Sequence, residues 1–261
     1  MLKRVFIVGA SVLSASACAG FVIGRSLWRT WGIAPSEASE PLPGDDLVPE
    51  PDAFDTRGID IAAPPEKVWP WLVQMGFGRA GWYSYDAVDM NHPSLDRIVP
   101  EFQGLAVGDT MPTHPGGGFE VKVLDPGKAL VLYTDRDLMV KLATTSTETL
   151  AEASPNVRVT GAYLEKAMAG DFSGSWAFVL EPTASGGTRL IERFRIRMET
   201  PEMAPGPTRF ARLMLGFGVF VMIRRQMLGI QARAEGRPDH VLPFRFAVPR
   251  PQPSMATTQP A

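Results

Sequence analysis

Cysteine is all but missing from this chain. Cys18 stands alone near the start, so no intrachain disulfide and no thiolate metal site can form. Histidine is nearly as scarce, and His92, His114 and His240 show no zinc-binding spacing, so neither a metal nor a cofactor is expected. No block of Lys or Arg occurs and the net charge is −2, which leaves nothing to track a nucleic-acid backbone. There is no GxSxG elbow, and no nucleophile, base and orienting acid pair up. Gly116-Gly117-Gly118 lacks the strand-to-helix setting of a phosphate loop. His114, in PTHPGGG, reads as an exposed loop histidine.

What is present is an apolar share of 45%, enough for a sizeable core in one or two domains. Lys3 and Arg4 precede an uncharged run from Val5 to Gly24, long enough for a bilayer core, with Trp28 and Trp31 placed as interfacial aromatics. Residues 1–31 thus read as a single-pass anchor. The alternative is a secretory signal cleaved near Ala15-Ser16-Ala17, leaving a secreted or lipid-anchored chain. Phe21, Val22 and Ile23 continue the run past that point and favour the anchor. Residues 32–54 are acidic and proline-rich and read as a linker, and residues 237–261 as a disordered proline-rich tail.

The chain is organised around Pro64 to Asp86. Two prolines open a helix, and Val68, Trp71, Leu72 and Met75 form one apolar stripe. Pro70 predicts a short, kinked helix, and Gly76 its stop. A strand over Arg57, Ile59 and Ile61 leads into it. Downstream, a short strand is expected near Thr110. Phe119 to Val123 and Ala129 to Thr134 form a hairpin about Asp125-Pro126-Gly127-Lys128. Residues 136–172 are an insertion, with a polar helix over Thr144 to Ser154 and an extra strand over Val157 to Tyr163. Trp176, Phe178 and Leu180 share a strand face. In the last strand Leu190, Glu192, Phe194 and Ile196 share one face, and Arg189, Arg193, Arg195 and Arg197 the other. Thr208 caps a closing helix to about Ala234. Its Leu213 to Ile223 stretch is apolar nearly all round, which predicts enclosure by the sheet.

IDIAAPPEKVWPWLVQMG, then GWYSYD, DRIVPEFQGLAVGD and FVMIRRQMLGIQARAEG, resemble the START-like (SRPBCC) superfamily over residues 55–236, and within it bacterial proteins grouped with polyketide cyclases and lipid-transport proteins. The resemblance implies an α+β helix-grip fold. A curved antiparallel sheet wraps a long C-terminal helix and leaves an apolar cavity, with chemistry ranging from passive binding to cyclisation.

The expected function is binding or carriage of a small hydrophobic or amphipathic ligand, lipid or polyketide-like. The rivals are a cyclase or aromatase using Glu192 with a tyrosine, and an interaction domain without ligand. Glu192 is the sharpest candidate, since a carboxylate among apolar neighbours is costly unless paired, hydrogen-bonded or protonated. Trp82, Tyr83, Tyr85, Trp176, Phe194, Met214 and Phe217 are the expected ligand-lining residues. Glu192 is also the one weak catalytic candidate.

Overall fold

The computed structural model describes residues 28–90, 92–146, 157–158, 170–199 and 207–239; the side chains at 89, 199 and 207–215 are not among those described. The run Val5 to Gly24 and the tail from His240 lie outside the described residues. Among the described residues, no helix is long and apolar enough to cross a membrane.

Six strands form one antiparallel sheet: β1 (Ala53–Ile61), β2 (Thr110–His114), β3 (Gly117–Asp125), β4 (Ala129–Asp135), β5 (Asp171–Pro182) and β6 (Thr188–Glu199), in the order β1-β6-β5-β4-β3-β2. Short helices α1 (Pro35–Ser39), α2 (Pro65–Val73), α3 (Asp86–Asp89) and α4 (Arg136–Thr145) connect and flank it. A long helix, α5 (Pro207–Ala234), closes the chain. This is α+β: a curved antiparallel sheet with a C-terminal helix, consistent with a helix-grip architecture. The expected hairpin is β3–β4, and Gly127 takes the positive φ of 74° that its turn requires.

The pairing register sorts the side chains. Arg57, Glu192, Phe178 and Leu130 lie in one cross-strand row, and Phe194, Trp176 and Leu132 in the next. Both rows are on the inner face, because Phe220 of α5 lies 5.7 Å from the Arg57 guanidinium. α2 packs there as its stripe predicts, burying Val68, Trp71 and Leu72 beside Met227 and Ile230 of α5. Ser84 Oγ donates to the Met222 carbonyl at 2.9 Å, tying the aromatic loop to α5.

The outer face carries the arginines, and there the linker reading of 32–54 meets a different structure. Part of that segment is folded back on the sheet as a strap. Arg193, 3% exposed, donates to Asp45 Oδ2 at 2.6 Å and to the carbonyls of Glu40 and Ala38 at 2.8 Å, and Arg195 reaches the carbonyls of Val48 and Pro49. Arg189 pairs with Glu37. Proline and acidic residues look like solvated linker by composition. Here they supply carbonyls and carboxylates to guanidinium forks that would otherwise be buried without partners. Along the outer side of β1, the Phe54 carbonyl accepts from Arg29 Nη2, Gly58 N–H donates to the Trp31 carbonyl, the Asp60 carbonyl accepts from Gln231, and Ala62 N–H donates to Glu235.

In the insertion a helix, α4, starts before the expected one, with Asp135 accepting from Leu138 N–H at 2.8 Å, and it ends at Thr145; residues 147–154 of the expected polar helix lie outside the described residues. Val157 is buried and helical, not the start of a strand, and the rest of that stretch lies outside the described residues. α5 begins at Pro207, one residue before Thr208, and it is not enclosed throughout: Phe217 is 42% exposed.

Candidate functional site

Glu192 sits in the middle of the inner face and is 1% exposed. Its directly opposed residues are Arg57 on β1 and Phe178 on β5. The Trp176 indole N–H donates to Glu192 Oε1 at 2.6 Å. Oε2 has no hydrogen-bond partner among the described residues. Arg57 does not close an ion pair with it. Its Nε donates to the Trp28 carbonyl at 3.0 Å and its Nη2 to Asp55 at 2.9 Å, so the cation is held off along β1. Burial pushes the Glu192 carboxyl up to about 8, against the opposing pull of Arg57 and the Trp176 hydrogen bond. At neutral pH the group is therefore mostly a neutral acid. Because Oε1 accepts from Trp176, the acid proton belongs on Oε2, the oxygen left without a partner.

Trp176 is the hub of an aromatic cluster. Trp82 stacks on it at 5.3 Å between centroids, Phe119 and Phe194 present edges at 5.6 and 6.2 Å, and Phe178 lies at 5.0 Å. Phe119, Trp176 and Phe194 are only half-buried, so the cluster is closed beneath by the sheet and less covered above. Trp82 reaches Trp176 because of the residue after it. Tyr83 has a φ of 57°, unusual for a non-glycine residue, and is 1% exposed. Arg233 lies 4.5 Å over its ring, and a Cβ at Gly229 would meet the Tyr83 carbonyl oxygen at 2.4 Å.

The expected site residues thus divide. Trp82, Trp176, Glu192 and Phe194 are brought together. Tyr83 is adjacent, but its hydroxyl accepts from Gln74 and donates to the Trp71 carbonyl; burial raises its pKa, and it supports the loop instead of facing a ligand. Tyr85 is half-buried and immediately precedes α3, its carbonyl accepting from Val88 N–H at 2.7 Å and its side chain making no capping bond. Phe217 is exposed and lies 5.0 Å from Trp28 and 6.2 Å from Phe220 between ring centroids, outside the ring contacts of Trp176. The Met214 side chain lies outside the described residues. His114 is buried at 4%, against the exposed reading, and its Nδ1 lies 3.0 Å from Thr113 Oγ1. Arg57 and Phe119 were missed. Arg57 shares the parity of Ile59 and Ile61 on β1, and that parity is the available signal for its inward position.

A cavity of about 240 Å³ lies elsewhere, on the outer face where the strap meets the ends of β4, β5 and β6, lined by Tyr133, Asp135, Asp171 and Arg197 among others. It shares no residue with the aromatic cluster. The cluster has the stronger chemical claim, since the groove is polar, shallow and built from residues that are largely paired or solvated.

No family model matches the sequence, and no curated protein matches it. Solved structures similar to the chain include a protein from Mesorhizobium loti (16% identity, 71% of this chain and 99% of that one, TM-score 0.35). Others are the Aha1 dimer from Colwellia psychrerythraea (18%, 69% and 98%, TM-score 0.29) and DynU16 of the dynemicin biosynthetic locus (14%, 73% and 51%, TM-score 0.33). These likenesses carry no argument about function at such identities and scores.

Proposed function

We propose that the inner face around Trp176 and Glu192 binds a small apolar or amphipathic molecule, and that the protein is a START-like carrier of the helix-grip kind. The observation that carries this reading is the buried Glu192 carboxyl, with one oxygen fixed by Trp176 and the other unpartnered, set among half-buried aromatic rings. An unpartnered buried polar atom costs about 1–3 kcal/mol, so a ligand acceptor placed against Oε2 gains what the free protein lacks. The aromatic rings supply apolar contact area and leave orientation to the acid. A general-acid role draws on the same proton. It is the second reading, because Tyr83, the residue after Trp82, has its hydroxyl committed to Gln74 and the Trp71 carbonyl.

Native mass spectrometry of the purified protein, looking for a co-purifying lipid or metabolite, tests the proposal together with binding of an apolar fluorescent probe. Glu192→Gln keeps a donor and is expected to hold probe affinity within a few-fold. Glu192→Leu removes it and is expected to weaken binding of a carbonyl-bearing probe about tenfold, the worth of one hydrogen bond. Absence of both a co-purifying mass and probe binding overturns the carrier reading.

A further inference from the structure

The exposed stretch of α5 lies close to where the undescribed apolar run ends. Phe217 is 42% exposed, and Cβ atoms added at Gly216 or Gly218 would meet nothing within 4 Å. Its neighbour in space is Trp28, the first described residue, at 5.0 Å between rings. Two turns further on, Arg224 is exposed and stacks at 5.1 Å over Trp31. This side of α5 therefore presents an apolar turn followed by an Arg–Trp pair, the side-chain order of a membrane–water boundary.

Chain length fixes the rest. Only Arg25, Ser26 and Leu27 separate Gly24, the end of the apolar run, from Trp28. Even fully extended, that link spans at most about 14 Å. If the run crosses a bilayer, the domain has no slack to hang away from the surface, and the Phe217 turn lies at headgroup depth. A long flexible tether would leave the facing side undetermined; this one does not, because Trp28 is already fastened to the fold through its carbonyl and Arg57.

We propose that the Phe217–Gly218 turn of α5 is a lipid-contacting surface, which seats the domain on the bilayer with α5 towards the lipid and the arginine-clamped strap on the sheet face opposite α5. The occupant is the acyl–headgroup boundary of the membrane that holds Val5 to Gly24. The proposal rests on that run being retained as an anchor and is independent of what the aromatic cluster binds. It gives Phe217 a role that core packing does not.

The test uses the full chain in phosphatidylcholine–phosphatidylglycerol vesicles, with Cys18→Ser and an environment-sensitive fluorophore on Gly218→Cys, a position with open space around it. A second label goes on Ala184→Cys, in the exposed β5–β6 turn. The expected result is a blue shift at 218 only in vesicles, quenched by lipids carrying a shallow nitroxide, with 184 unaffected. Vesicle-bound protein whose 218 label reports water overturns the surface assignment and leaves the anchor standing. A chain that does not partition into vesicles, or one processed at residue 18, overturns the anchor and the surface with it. A blue shift at 218 already present without lipid means that the chain's own apolar run covers the turn, and also overturns the proposal.

Discussion

Glu192 is where a single side chain changes the behaviour of the molecule with pH. Its carboxyl is raised to about 8 in the folded protein, from an ordinary value of 4.5. Between those values the folded state holds a proton that the unfolded state releases, so this group's contribution to stability falls as pH rises through the interval. Glu192→Gln removes the titration. Its melting temperature is expected to gain on the wild type from pH 5 to pH 8.5, with a difference on the order of a few kcal/mol at the upper end. A pH-independent difference means that Glu192 is ionised throughout. Trp176→Phe keeps most of the ring packing but strips Oε1 of its donor, and a loss of about 1–3 kcal/mol in chemical denaturation is expected. Strand parity made the placement of Glu192 legible: period-two alternation put it with Leu190, Phe194 and Ile196. Its partner was not legible, because Trp176 lies on another strand and only register brings the two side chains together.

At the scale of elements, α5 combines tight and open glycines. Gly229 lies against the Tyr83 backbone, where the neighbour is a carbonyl that cannot swing aside. Gly229→Ala is expected to cost more than about 2 kcal/mol and to disturb the stacking of Trp82 on Trp176. Gly216→Ala meets open space in the same helix, and a gain of about 0.5–1 kcal/mol is expected from helix propensity. Thermal denaturation of the two variants reads the contrast directly. Phe217→Asp, which would be severe in an enclosed helix, is expected to shift stability by no more than about 1 kcal/mol. The apolar sequence of α5 suggested uniform burial, yet periodicity cannot show which apolar turn lacks a covering layer. The hairpin β3–β4 and the helix α2 were legible because their signals are local: a Pro-Gly turn in one, paired prolines and a 3.6-residue stripe in the other. The strap was not, since its bonds run over more than 140 residues to arginines that look solvated in sequence.

For the molecule as a whole, the strap makes residues before the sheet part of the fold. A chain beginning at Asp52 loses the acceptors of Arg193 and Arg195 and is expected to unfold at lower denaturant than one beginning at Trp28. Arg193→Ala is expected to cost about 3 kcal/mol and to open the segment around Asp45 to proteases. The bonds along the outer side of β1 have a further consequence. Strand edges are templates on which other chains can add strands. On β1 that template is already occupied: Arg29, Trp31, Gln231 and Glu235 take the outward-facing groups of Phe54, Gly58, Asp60 and Ala62. On β2, at the opposite border of the sheet, Pro112 has no N–H to offer and the ladder is broken between Pro112 and His114. Among the described residues neither border offers an unbroken row for a seventh strand, so crowded protein would have to associate through side chains rather than by extending its sheet into fibrils.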